Sequence, residues 1–197
     1  YWGGYIAQPD YMRTKLVEMI TDAVDAGIYV IIDWHIHNDP LNFIDEALAF
    51  YTDMATQYGH LPNIIYEICN EPEYVSWDTV KNYANQVIPA IRAIDPDNII
   101  LVGTPSWCQD LDVAADSPLT GYTNIMYTLH FYAGTHGQTI RDKADYALGR
   151  GLPVFVSEWG TTDCYGGENG TVYTSESRTW LDWMDSHNLS WINWNFS

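Results

Sequence analysis

A chain of 197 residues, with 47% hydrophobic and 15% aromatic content, is long and apolar enough for one core of ordinary domain size, and it has no stretch that reads as disordered or as a membrane span. Its formal charge of −18 repels phosphate backbones and argues against a nucleic-acid partner. The three cysteines, Cys69, Cys108 and Cys164, show neither zinc-site spacing nor an even disulfide framework.

Asp10 is a candidate cap for a first helix in which Met12, Leu16, Met19, Ile20, Ala23 and Val24 share a face and which Gly27 ends. A strand follows over Ile28–Trp34, then a helix carrying Ile44, Ala47, Leu48, Tyr51, Met54, Ala55 and Tyr58 and stopped by Gly59. Asn63–Asn70 reads as the next strand, and Trp77–Ile94 as a helix that Pro89 should kink. Strands are predicted at Asn98–Gly103, Asn124–Phe131 and Pro153–Glu158, with a helix at Gln138–Leu148 between the last two. A helix at Thr174–His187, with Trp180 and Trp183 packed against the sheet, leads to a closing strand at Trp191–Phe196.

Six apolar strands alternating with helices imply an α/β fold with a parallel sheet and right-handed crossovers. Chemistry then belongs at the carboxyl ends of the strands. His35, Asn70, Glu71, Trp107, His130, Tyr132, Glu158, Trp159 and Trp194 fall there, and convergence from every strand favours a barrel over a doubly wound sheet. A (β/α)8 TIM barrel needs eight strands and typically ~250 residues. The chain is therefore expected to be a fragment covering about strands 3 to 8, without the first two strands and the last helix.

Glu71 and Glu158 each close an apolar run, where a charge is costly unless it faces an opening. Such a pair is what hydrolysis of a sugar acetal requires: one carboxyl to protonate the leaving oxygen and another to act at the anomeric carbon. Basic residues are scarce, eight Lys plus Arg in all, and none lies beside either glutamate in sequence, which disfavours a purely structural ion pair. His35, His130 and Tyr132 are candidates for orienting a carboxylate or binding a sugar hydroxyl, and Trp107, Trp159 and Trp194 for stacking on sugar rings; Trp191 is expected in the core. The His35-Ile36-His37 pair also fits a metal-dependent hydrolase barrel, but Asn98–Gly103 offers no further ligand, so neither a metal nor another cofactor is expected.

The segments VIIDWH, NIIYEICNEP, LHFYAGTHGQ, FVSEWG and SWINWN, in that order, resemble glycoside hydrolase family 5, and within it the bacterial endo-β-1,4-glucanase branch. The resemblance covers nearly the whole chain. It implies a single, partial catalytic domain over residues 1–197 and a retaining mechanism on cellulose or related β-glucans. Mannanase, xylanase or xyloglucanase activity with the same mechanism, or a truncated non-catalytic carbohydrate binder, are the alternatives. It implies Glu71 as acid/base, Glu158 as nucleophile, and Asn70 on the sugar 2-hydroxyl. His130 would lie against the acid/base and Tyr132 against the nucleophile. His35 and Trp194 would serve the cleavage subsite, and Trp107 and His136 the neighbouring subsites. It further implies a secreted monomer acting on a β-1,4-glucan. The resemblance also implies that Tyr1 stands at the far end of the second strand, so the family's second-strand arginine, which supports the nucleophile, has no counterpart here; Arg13 is not a replacement, and this polypeptide alone is expected to be weakly active or inactive.

Overall fold

The computed structural model describes residues 4–165 and 170–195. The apolar runs form one six-stranded parallel sheet: β1 (Val30–Asp33), β2 (Ile64–Glu67), β3 (Ile99–Val102), β4 (Ile125–Tyr132), β5 (Val154–Gly160) and β6 (Trp191–Asn193). The strands follow one another across the sheet in chain order, with no reversal. That order belongs to a partial (β/α)8 barrel, because a doubly wound sheet reverses at a switch point.

Alternation along each strand sorts side chains into two layers. Ile65, Leu101 and Phe155 form an inner cluster with Ile31, Ile99 and Met126. The opposite faces, with Ile32, Tyr66, Ile100, Val102, Leu129, Phe131, Val154 and Val156, pack against the helices in the main core. Trp180, on the helix Thr174–Ser186, is fully buried there, and its ring stacks on Phe131 at 3.7 Å between centroids and 12° between planes. The guanidinium of Arg141 lies 4.7 Å from the Trp180 ring centroid on the helix Gln138–Gly149 side, and the indole N–H donates to the His136 carbonyl at 2.9 Å.

Several expectations change in detail. The first helix runs Pro9–Asp25 and has Gln8, not Asp10, at its cap position; Pro9 starts it, and Asp10 sits in the first turn, where its charge meets the helix dipole. Met19 is 60% exposed and so departs from the predicted buried face. β1 begins at Val30, because pairing starts at Val30 with Ile64, which leaves Ile28 and Tyr29 outside the sheet and exposed. A 3-10 turn at Pro40–Phe43 and a short helix at Leu111–Asp116 carried too little periodicity to be predicted. Trp191 is 40% exposed on β6, where it meets Trp159 edge-on, rather than lying in the core. Tyr1 and Phe196, named in two of the expectations, lie outside the described residues.

Truncating Trp180 removes a fully enclosed ring that bridges sheet and helix. Trp180→Ala should lower unfolding free energy by about 3–5 kcal/mol in urea titrations, with Trp180→Phe losing clearly less. A loss below about 1 kcal/mol for the alanine variant would show that this stack does not anchor the helix.

Candidate active site

Parallel pairing continues past the ends of β1 and β2. Trp34 N–H donates to the Glu67 carbonyl at 3.0 Å, Asn70 N–H to Trp34 at 3.2 Å, and Glu71 N–H to Ile36 at 3.0 Å, ending in a bridge between His37 and Glu71. This extension carries Glu71 beyond the apolar strand while holding its backbone in register. Its carboxylate, 12% exposed, has Oε1 3.0 Å from His130 Nδ1 and Oε2 3.4 Å from His37 Nδ1.

Glu158 reaches the same place from β5. The β4–β5 register slips between Thr128 and His130: Thr128 pairs with Phe155, but His130 pairs with Glu158. One extra residue on β5 is thus accommodated as a bulge, a device that re-aims side chains. As a result Ser157 and Glu158, consecutive in sequence, both approach His130: Ser157 Oγ lies 2.9 Å from Nε2, and Glu158 Oε2 3.9 Å from Nδ1. Glu158 Oε1 accepts a 2.5 Å hydrogen bond from the Tyr132 hydroxyl. Burial, then that bond, pushes the Tyr132 phenol far above its ordinary value, so Tyr132 stays a donor.

His130 is 2% exposed. Burial acts to lower its pKa, but hydrogen bonding to Glu67 and Glu71 and the charges of Glu67 and Glu158 outweigh burial and lift it to about 10. One atom from each of Glu71, His130 and Glu158 lies within 4.8 Å of the others, a span that a metal ion could bridge. Both His130 nitrogens already face oxygens, Ser157 Oγ at Nε2 and Glu71 Oε1 at Nδ1, an arrangement that suits proton transfer.

The remaining predicted residues ring this centre. Asn70 is 3% exposed, and its side-chain Nδ2 is enclosed with no hydrogen-bond partner among the described residues, a donor held ready for an incoming acceptor. His35 Nδ1 lies 2.7 Å from Asp33 Oδ2, and its ring stacks on the half-exposed Trp194 at 5.6 Å and 13°. His136 Nδ1 accepts from the Tyr132 backbone N–H at 2.8 Å, and burial pushes its pKa down, in keeping with a neutral acceptor. Trp107 meets the exposed Tyr74 edge-on at 5.5 Å and stands on a turn in which Ser106, Trp107 and Cys108 all have φ between 56° and 58°. Such left-handed backbone is unfavourable for residues with a Cβ; Trp107 N–H is tied there to the Pro72 carbonyl at 3.1 Å. Trp159, by contrast, is 4% exposed and packs on Phe131 and Trp191, so it belongs to the core and not to a stacking surface.

Glu67, Ser157, Asp33 and His37 also belong to the site. Glu67 could have been found from sequence, because a carboxylate within the apolar run IIYEIC is anomalous wherever that strand is buried. Ser157 could also have been found, because alternation from Phe155 already turns it inward; what the sequence hides is the bulge that brings Glu158 to the same side.

Gly160 faces Tyr132 across β4 and β5: a Cβ there would come within 2.5 Å of the phenol ring. Gly160→Ala should push the ring aside and lengthen the Tyr132–Glu158 contact beyond hydrogen-bond distance in a crystal structure; an unchanged contact would contradict this packing. A pH effect follows from Asp33, whose Oδ1 is enclosed with no hydrogen-bond partner among the described residues. Burial, opposed by the hydrogen bond with His35, pushes its carboxyl up to about 6. The folded state then keeps a proton that the unfolded chain has lost, so this group's contribution to stability is full below the ordinary carboxylate range and disappears as pH rises through about 6. Denaturant titrations at about pH 4 and about pH 7 should show a smaller drop for Asp33→Asn than for the wild type, and an equal drop would contradict the assignment.

With the geometry in place, the family comparison is direct. Residues 1–197 match the family model described as Cellulase (glycosyl hydrolase family 5). An endoglucanase of Clostridium saccharobutylicum is 54% identical over 98% of this chain, which spans 43% of that relative. Endoglucanase A of Evansella cellulosilytica is 52% identical over 99% of this chain and 40% of its own length. Among solved structures, the cellulase Cel5C_n superposes with a TM-score of 0.96 at 47% identity, covering 100% of this chain and 63% of that one. A variant of the Thermobifida fusca endoglucanase Cel5A catalytic domain, in complex with cellotetraose, superposes at 0.91 with 36% identity, over 98% of this chain and 65% of that one. The chain thus spans less than half the length of these two sequence relatives and under two thirds of these two structures.

Proposed function

The chain belongs to glycosyl hydrolase family 5, and on that premise we propose that the protein carrying it is a retaining endo-β-1,4-glucanase. The observation that carries this reading is the pairing of Glu71 and Glu158, a carboxylate oxygen of each within 4.8 Å of the other around His130. That spacing supports a double displacement, for which the two carboxyl groups stand ~5–5.5 Å apart, over an inverting site at ~6.5–9.5 Å, which leaves room for a water between them.

In the first step Glu71 gives its proton to the glycosidic oxygen as that bond breaks, and a Glu158 oxygen bonds to the anomeric carbon. In the second, Glu71 takes a proton from water while the water oxygen displaces Glu158 from that carbon, which restores both carboxyls. The Tyr132 hydroxyl, donating to Glu158 Oε1, leaves Oε2 as the attacking oxygen. The free Nδ2 of Asn70 suits an acceptor on the sugar, such as its 2-hydroxyl. The His35–Trp194 stack would form the wall and floor of the cleavage subsite, with Trp107 and His136 serving adjoining sugars. No step requires a metal or an organic cofactor. A polymeric substrate would place the protein outside the cell, acting as a monomer; no helix among the described residues is long and apolar enough to cross a membrane.

In the complete protein that carries this chain, Glu71→Gln and Glu158→Gln should each lower kcat on cellopentaose by about a thousandfold or more. NMR of early products should show the β anomer first. Near-wild-type turnover in either variant, or α product first, would overturn the reading. Rates on manno-oligosaccharides well below those on cello-oligosaccharides would place the substrate among the β-glucans, and the reverse would place it among the mannans.

A further inference from the structure

β2 carries a second glutamate that the displacement chemistry leaves unused. Glu67 is 4% exposed, pairs in register with Asp33 on β1 and Leu101 on β3, and sits just above the apolar inner cluster that contains Leu101. A carboxylate in such a place is costly unless its oxygens are well engaged. Ser157 donates its only hydroxyl proton to Glu67 Oε1 at 2.6 Å. With that proton committed, Ser157 Oγ can serve His130 only as an acceptor, so the 2.9 Å contact is a hydrogen bond from Nε2–H. The opposite edge of the ring, Nδ1, faces Glu71 Oε1 at 3.0 Å.

We infer that Glu67 is a positioning residue: acting through the Ser157 hydroxyl, it anchors the Nε2 edge of His130 and so keeps an N–H at Nδ1 directed onto Glu71. This rests on the reading of Glu71 as the acid/base. The charge left on Glu71 after it protonates the leaving oxygen then meets a donor already in place, with no reorganisation at that moment. The ring cannot swing away, because its far edge is held by a carboxylate sunk in the barrel interior.

The groups facing His130 are all acidic or neutral. Glu67 lies 3.6 Å from Nε2, and Glu71 and Glu158 lie 3.0 and 3.9 Å from Nδ1. Asp33 on β1 is felt electrostatically. Tyr132 is held protonated, as are the thiols Cys69 and Cys108, both pushed up chiefly by burial. The lift on His130 therefore comes from the carboxylates, Glu67 and Glu71 through hydrogen bonding and Glu67 and Glu158 through charge.

Long-range proton–nitrogen NMR of the imidazole tests this, with His130 assigned by loss of its signals in His130→Asn. Wild type, Glu67→Gln, Ser157→Ala and Ser157→Thr are compared from about pH 5 to about pH 9, with circular dichroism confirming the fold. The expected result is a wild-type ring protonated on both nitrogens throughout, a ring that titrates to neutral inside this range in Glu67→Gln and Ser157→Ala, and wild-type behaviour in Ser157→Thr. On cellopentaose, the first two variants should lose about tenfold or more in kcat with KM within about twofold, and the threonine variant should lose little. An unchanged ring in folded Glu67→Gln overturns the proposal; a change in Glu67→Gln but none in Ser157→Ala overturns the route through the hydroxyl. Should Glu67→Gln not fold, the contrast between alanine and threonine at Ser157 carries the same decision. Glu71→Gln, run alongside, separates the two readings: wild-type turnover there removes the acid/base assignment, whereas loss of turnover there with unaltered rings in the other variants removes only this inference.

Discussion

Three carboxylates buried around one imidazole set the terms for everything else at the carboxyl end of this sheet. Glu67, Glu71 and Glu158 all lie within 3.9 Å of a His130 nitrogen, and each of them is at most 12% exposed on its side chain. Carboxyl groups packed so tightly are tolerated only when donors stand among them and the remaining lone pairs are satisfied. His130 is the central donor, Ser157 and Tyr132 supply hydroxyl protons, and the His37 ring lies against the outer oxygen of Glu71. The parallel sheet makes the cluster possible because every strand delivers its last residues to one end, and the β5 bulge makes it complete by turning two consecutive residues toward the same histidine.

The helical layer reaches this cluster through a continuous set of contacts. Trp180 is stacked on Phe131 in the core and donates to the His136 carbonyl; His136 Nδ1 accepts from the Tyr132 backbone N–H; Tyr132 donates to Glu158. The position of the proposed nucleophile is thereby referred to a fully buried tryptophan rather than to a loop. The aromatic residues divide accordingly. Trp159 and Trp180 hold layers together, while Trp107 and Trp194 stand at the rim, partly exposed.

What could be read from the chain alone was whatever one strand reports about itself. Apolar runs ending in Asn70-Glu71 and Ser157-Glu158 mark buried strands with charges at their ends, so the strand order, the glutamate pair, His130 and Tyr132 were all legible. What depends on how two strands register was not. Glu158 faces the same side as its neighbour Ser157 only because of a slip between β4 and β5, and His37 reaches Glu71 only because pairing outlasts β1 and β2. Trp159 carries the same local signal as Trp194, being an aromatic next to a strand end, yet parity turns it toward Phe131. The left-handed turn beneath Trp107 has no glycine to announce it, and tertiary packing overrides local preference there.

In the proposed chemistry Glu158 forms a bond to the sugar while Glu71 handles the proton. The most direct test is mass spectrometry of the protein after incubation with a fluorinated cellobioside that carries a good leaving group, because the fluorine slows hydrolysis of a glycosyl-enzyme and lets it accumulate. One cellobiosyl adduct should form, located in the peptide containing Ser157–Gly160 and borne by Glu158. An adduct on Glu71, or inactivation with no covalent sugar at all, would contradict it.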